Sequence, residues 1–210
     1  MWGAEVVLES ISVFISGIVE GRDPVLNEHH QRVAAGISEF AEHIGCTGEE
    51  RQILRIGASI HDLGKLSINE HILNKPARLT ATEMELVRQH PELGYQLLAP
   101  LNLDPRITGI VRYHHENFDG TGYPEKRKGD DIPFYARIMR LWDVYDAVTM
   151  DRPYHKGVSS SEALQILVDT SERYDPELLA SFCDFIEGRF GGRVAFCQGG
   201  EAVCLHAPAL

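Results

Sequence analysis

A chain of 210 residues with 43% hydrophobic content is long enough for one domain with a sizeable core and too apolar to be disordered. Its net charge of -11 speaks against non-specific binding to a nucleic-acid polymer, and no run of 18 apolar residues is available to span a membrane. Cys46, Cys183, Cys197 and Cys204 form no C-x-x-C pair, and the start is neither basic nor followed by a small-residue cleavage site, so reduced thiols and a cytoplasmic location are expected.

Residues 4–20 read as an apolar-faced helix, broken by Gly21-Arg22-Asp23-Pro24. A second helix carries Val33, Ile37, Phe40 and Ile44 at steps of four, three and four, which makes one buried stripe, and ends at Gly45. Thr47-Gly48-Glu49-Glu50 is a capping box opening a third helix, which runs through Ile53, Leu54, Ile56 and Ile60 into His61-Asp62. Thr80-Ala81-Thr82-Glu83 opens a further helix that closes at Gln89-His90-Pro91, and Pro91 suits the first turn of the next, to Leu98. Asp104-Pro105 starts another, closing on His114-His115. The stretch 116–133 holds three glycines and two prolines, too many for a helix. Helical patterning returns over 134–150, where Asp143 and Asp146 fall on one face, and after the turn Asp151-Arg152-Pro153-Tyr154 it resumes over Ser159–Thr170 and Pro176–Glu187, the last capped by Asp175. The expected fold is an all-α multi-helix bundle: an N-terminal helix over 1–22, one domain over 23–187, and a tail over 188–210 that forms a short hairpin or hangs loose. The first helix suits core packing, with a signalling connection or a dimer contact as the other reading.

His29, His61, Asp62, His90, His114, His115 and Asp143 lie on or at the ends of five predicted helices. Bundles build metal sites from such inward-projecting side chains. Five imidazoles and two carboxylates exceed the needs of one ion and fit two, with one carboxylate bridging; the absence of thiols disfavours structural zinc, and the set suits iron, manganese, nickel or zinc. Singly, most have ordinary readings as caps or surface residues. Asp143, among Leu141, Trp142 and Val144, does not, because a buried carboxylate needs a partner or an ion.

His61-Asp62-Leu63-Gly64-Lys65 followed by His114-His115-Glu116-Asn117-Phe118-Asp119-Gly120-Thr121-Gly122-Tyr123-Pro124 resembles the HD-GYP family of cyclic di-GMP phosphodiesterases. His29-His30-Gln31-Arg32, Leu73-Asn74-Lys75-Pro76, Gln89-His90-Pro91-Glu92-Leu93-Gly94, Lys128-Gly129-Asp130-Asp131-Ile132-Pro133, Asp143-Val144-Tyr145-Asp146-Ala147 and Asp151-Arg152-Pro153-Tyr154 agree in order, so the resemblance covers roughly residues 23–187. It implies a centre of two divalent ions, iron or manganese before nickel or zinc. His29, His61, Asp62 and Asp143 would hold one ion, and Asp62 would bridge to a second at His90, His114 and His115. His29 is chosen over His30 because it lies three before Arg32, where the family places its histidine. Val25 stands where some members carry a carboxylate for a third metal, which favours two.

The activity so implied is attack of a metal-bridging hydroxide on one phosphodiester of cyclic di-GMP, giving pGpG, with further cleavage to GMP left open. Asp62 and Lys65 would serve the chemistry, Lys65 also reaching a phosphate oxygen. Arg152 and Lys156 would hold the second phosphate or the guanine; His155 departs from the basic residue usual after Arg-Pro-Tyr, and Lys156 substitutes for it. Asp146 would orient a ligand or Lys65, with an ordinary salt bridge as its other reading. Gly122, Tyr123 and Pro124, with Gly120, would shape the substrate site or dock diguanylate-cyclase (GGDEF) domains. Lys126-Arg127-Lys128 is a solvated charge run or a local guide for an anion. Three other readings stand beside this one: a non-catalytic receptor for cyclic di-GMP, a phosphodiesterase for cyclic GMP-AMP, and di-iron oxygenase chemistry, against which Lys65 and the Gly-Tyr-Pro loop speak.

Overall fold

A computed structural model describes residues 4–151 and 156–190, and every regular element among them is helical. In chain order, α1 is Ala4–Arg22, α2 Pro24–His43, α3 Gly48–Ile60, α4 Glu70–Leu73, α5 Ala81–Val87, α6 His90–Leu98, α7 Pro105–Tyr113, α8 Phe134–Thr149, α9 Ser160–Asp169 and α10 Pro176–Phe190. The caps explain most of these starts. The Asp23 side chain accepts from the Leu26 amide at 3.0 Å, with Pro24 in the first turn. Reciprocal capping boxes form at Thr47/Glu50, Thr80/Glu83 and Ser159/Glu162. Asp175 accepts from the amides of Glu177 and Leu178.

Three boundaries differ from expectation. The helix assigned to 176–187 runs on to Phe190, and the tail beyond it, 191–210, lies outside the described residues. The break after the first helix is Asp23 alone, with Gly21 still helical. The short α4, capped by Asn69, has no apolar stripe that would have announced it.

The long helix α2 lies along α3 and touches α1, α8 and α10; α7 lies against α3, α6 and α8. Val33, Ile37 and Phe40 of α2, Leu54 and Ile60 of α3, Ile107 and Ile110 of α7 and Ile138 of α8 are fully buried in one core. An aromatic set holds α10 on α2 and α8: Phe182 meets Phe40, Trp142 and Tyr145 edge-on at 5.2, 5.3 and 5.5 Å. The same stripes, continued to the helix ends, carry the titratable residues inward. His29 is one turn before Val33, His90 one turn before Gly94, and His114 four after Ile110.

Two close approaches bring these ends together. A Cβ on Gly36 would sit 2.3 Å from the Trp142 ring, so only glycine lets α8 lie this close to α2. A Cβ on Gly64 would sit 1.9 Å from the His90 carbonyl oxygen and 2.6 Å from the Gly94 nitrogen, so the turn after Asp62 rests directly on the start of α6. Because those atoms are backbone, Gly64→Ala is expected to lower stability in chemical denaturation by about 2 kcal/mol or more. Gly17→Ala, on the exposed face of α1 with nothing within 4 Å of the new methyl, should instead stabilise by about 0.5–1 kcal/mol.

Candidate metal centre

All seven residues singled out in the sequence converge at one end of the bundle. Donor atoms of Asp62, His90, His114 and His115 lie within 4.8 Å of one another, as do those of His29, His61 and Asp143. Asp62 joins the two groups: its Oδ1 is 2.9 Å from His90 Nε2 and 3.6 Å from His114 Nε2, and its Oδ2 is 3.4 Å from His61 Nε2. Asp143 Oδ1 is 3.3 Å from His29 Nε2 and 3.8 Å from His61 Nε2. The His61 and His114 side chains have no exposure, whereas those of His115 and Asp143 retain 18% and 13%, so the centre opens to solvent on their side.

The tautomers follow from the carbonyls. His61 Nδ1 donates to the Ala58 carbonyl at 2.8 Å, His90 Nδ1 to that of Val87 at 2.7 Å, and His114 Nδ1 to that of Val111 at 2.9 Å. A carbonyl only accepts, so each Nδ1 carries a proton, and in the neutral ring Nε2 presents a lone pair. Burial holds the pKa of His90 and of His114 below the ordinary value, which keeps both rings neutral. Lone pairs therefore face lone pairs: His90 Nε2 is 3.2 Å from His114 Nε2, and both face the Asp62 carboxylate. His61 Nε2 and Asp62 Oδ1 have no hydrogen-bond partner among the described residues. Burial alone would raise Asp62, but the Lys65 ammonium paired with it holds it well below its ordinary value, so it is an anion. Imidazole nitrogens and carboxylates that lack protons to share fit divalent cations.

His29 is oriented differently. Its Nδ1 donates to Asp146 Oδ2 at 2.6 Å, and Arg32 holds the same carboxylate through Nε at 2.9 Å and Nη2 at 3.0 Å. Asp146 thus makes the salt bridge with Arg32 and, through its own bond to Nδ1, turns the ring of the candidate ligand His29 towards Asp143. Burial opposes a proton on His29, and the bonds to Asp143 and Asp146 overcome it, pushing the pKa up to about 9.

The loop 116–133 is built from a residue that sequence reading quoted but gave no task. Glu116 is buried, and its carboxylate accepts from the backbone amides of Glu125 at 2.8 Å and Arg127 at 3.1 Å. Gly120 adopts φ +85°, as its freedom allows, but Gly122 is required for space: its Cβ would meet the Asn117 nitrogen at 2.3 Å and the His115 carbonyl oxygen at 2.5 Å. The loop thereby lays the Tyr123 ring on His115, with centroids 4.8 Å apart and planes 27° apart, and Arg88 stands 5.7 Å over the far side of the tyrosine. The peptide joining Tyr123 to Pro124 is cis.

Lys65 pairs with Asp62 Oδ2 at the edge of the centre. Lys156 is exposed and has no contact with the seven, and Arg152 lies outside the described residues. Arg140 escaped the sequence reading. Half-buried one turn before Asp143, it donates from Nε to Asn117 Oδ1 at 3.1 Å and sets Nη1 3.5 Å from His115 Nδ1. No carboxylate among the described residues pairs with it. A basic residue one turn from a candidate ligand was the only signal available for it. Cys46 and Cys183 form no disulfide among the described residues and belong to neither donor group. A groove of about 690 Å³ lined by Ile11, Glu49, Gln52, Leu101 and Arg106 lies at the opposite ends of α3 and α7 from the histidines.

A family model described as HD domain matches residues 14–178. The chain is 35% identical over 161 residues to the cyclic di-GMP phosphodiesterase response regulator RpfG of Xanthomonas campestris, covering 75% of this chain and 43% of that protein. It is 33% identical over 175 residues to a 3'3'-cGAMP-specific phosphodiesterase of Vibrio cholerae, covering 83% and 38%. The chain thus spans less than half the length of these curated relatives. Among solved structures, an HDGYP protein from Bdellovibrio bacteriovorus aligns with TM-score 0.65 at 22% identity over 79% of this chain and 54% of its own. The HD domain of the phosphodiesterase PgpH of Listeria monocytogenes aligns with TM-score 0.61 at 16% identity, over 84% and 97%. At these identities the two structures show a shared fold.

Because the metal-free centre keeps a proton on His29 at neutral pH, loading a divalent ion there must expel it. Calorimetric titration at pH 7.5 in buffers of different ionisation enthalpy should show release of about one proton on binding the ion at His29. A heat independent of the buffer would remove His29 from that ion.

Proposed function

This chain belongs to the HD domain family, and from that premise we propose that it is a metal-dependent phosphodiesterase of cyclic dinucleotides, with cyclic di-GMP as substrate. The observation that carries the reading is the convergence of His61, His90 and His114 Nε2 on the Asp62 carboxylate, a donor set that suits divalent cations. His29, His61 and Asp143 would hold one ion, His90, His114 and His115 the other, with Asp62 between them. The donor chemistry and the absence of thiolates suit iron, manganese, nickel or zinc, and the family resemblance puts iron or manganese first. Bound there, two such ions supply an acidified water and neutralise charge on the phosphoryl oxygens.

The chain's own residues place the substrate. Lys65 has one donor on Asp62 and two left for a phosphate oxygen beside it. Arg140 offers a planar fork, free of any described carboxylate, on the open side of the centre where His115 and Asp143 reach solvent. Tyr123 gives a flat face for a base or sugar. Arg152 and Lys156, which follow α8 in the sequence, would serve the second phosphate. Hydrolysis then breaks one P–O3' bond, with water supplying hydroxyl to phosphorus and a proton to the departing oxygen, and gives pGpG. These cations provide local attraction for a dianion in a protein of net charge -11. The loop 116–133 is the surface that would meet diguanylate-cyclase domains, and such partners would place the protein in the cytoplasm.

The likeness to a 3'3'-cGAMP-specific enzyme favours cyclic GMP-AMP as the second reading, and rates measured side by side on both dinucleotides decide between them. Asp62→Ala should lose bound metal and reduce turnover by on the order of 10³ or more, measured by elemental analysis and pGpG formation with Mn(II) or anaerobic Fe(II). Full metal content and full rate in that variant would overturn the assignment, and binding without product in the wild type would make the protein a receptor. Arg140→Ala should raise KM about tenfold with metal content unchanged, and Arg140→Lys should recover only part of it. An unaltered KM would remove Arg140 from the substrate site.

A further inference from the structure

His30 has no task in the donor scheme above, which takes its neighbour His29. It is fully buried, and neither ring nitrogen has a hydrogen-bond partner among the described residues. Its ring lies 4.7 Å from that of His61 and 5.9 Å from that of His29. Donor atoms of His30, His61 and Asp62 all lie within 4.8 Å of one another. Leaving a buried polar group without a partner costs stability, which an apolar side chain on this buried face of α2 would avoid. A bridging water would answer one nitrogen only if further polar partners surrounded it. The unpaired groups named nearby, His61 Nε2 and Asp62 Oδ1, include no donor.

We propose that His30 is a further metal ligand, joining the ion held at His61 and Asp62. This deepens the metal-centre reading and rests on it. Donors bound at about 2.0–2.2 Å from one ion lie up to roughly 4.2 Å apart, so a small closing of the present spread brings His30 into the shell. His30 then stands beside His61 and Asp62 as a third protein donor on that side of the centre. The extra nitrogen shifts the preference of this ion towards iron, cobalt, nickel or zinc and away from manganese or magnesium.

The test titrates the metal-free full chain with Co(II), following visible absorption and the cobalt-induced rise in melting temperature, for wild type, His30→Val and His30→Gln. If His30 is a ligand, His30→Val folds with a metal-free melting temperature at or above that of wild type, because an unsatisfied group is gone. It binds one cobalt at least about tenfold more weakly, with an altered visible band and a smaller cobalt-induced rise. His30→Gln, which keeps polarity and size, fails to restore the band, and carries the test if His30→Val does not fold. Cobalt affinity and spectrum unchanged in either folded variant overturn the role of His30 while leaving the centre intact. Wild-type protein that takes up no cobalt overturns the centre and the His30 role together.

Discussion

An imidazole that has committed its single proton to a carbonyl has none left for a carboxylate, and the whole centre follows from that constraint. His61, His90 and His114 each give their Nδ1 proton to the backbone three residues earlier. Those carbonyls belong to Ala58, Val87 and Val111, in the last turns of α3, α5 and α7, where the final four carbonyls of a helix lack an intrahelical donor. One set of hydrogen bonds thus satisfies three helix ends and fixes three tautomers. What remains is a ring of lone pairs around an anionic carboxylate, an arrangement with no internal remedy among the described residues other than Lys65 and the proton on His29.

A cluster of that kind works against folding when it is empty of cations, so the bundle must supply the difference elsewhere. The apolar stripes do so along their whole length and end in the histidines, so one helical period both builds the core and delivers the donors. Closeness between elements is then set by absent side chains. Gly36 under Trp142 lets α8 bring Asp143 and Asp146 to His29, and Gly64 lets the turn after Asp62 touch the start of α6 at His90. The aromatic contacts of Phe182 fasten α10 to α2 and α8, with Trp142 and Tyr145 directly beside Asp143 and Asp146 in the chain, so apolar packing holds α8 at the level of the donors.

The loop after His115 extends this logic towards the solvent. A buried carboxylate, Glu116, satisfies backbone amides that an irregular segment would otherwise leave open, and burial raises its pKa without removing its acceptor role. The loop so pinned delivers Tyr123 to His115, and with Arg88 and Arg140 beside them the open side of the centre is basic and aromatic in a protein that is acidic overall. Local charge, and not the net charge, decides what can approach.

Local rules carried the sequence far. The caps at Thr47 and Thr80 and the stripe Val33-Ile37-Phe40 are interactions within a few residues, so the helices they start or bury were legible, and the histidines at the helix ends were legible with them. Ordered motifs then pointed to one family and to a donor set, and the fold does bring those donors together. Tertiary structure decided what depends on which element stands opposite. Asp146 could have faced Lys65, and it faces the candidate ligand His29 and Arg32 because Gly36 lets α8 lie against α2. Glu116 turns inward only because the loop folds back over it, and Arg140 matters only because His115 lies across from α8. His29 and His30 are neighbours of one type in the chain, and it is the packing of α2 on α3 that buries both beside His61, since side-chain direction on a helix is periodic but its partner is chosen by packing.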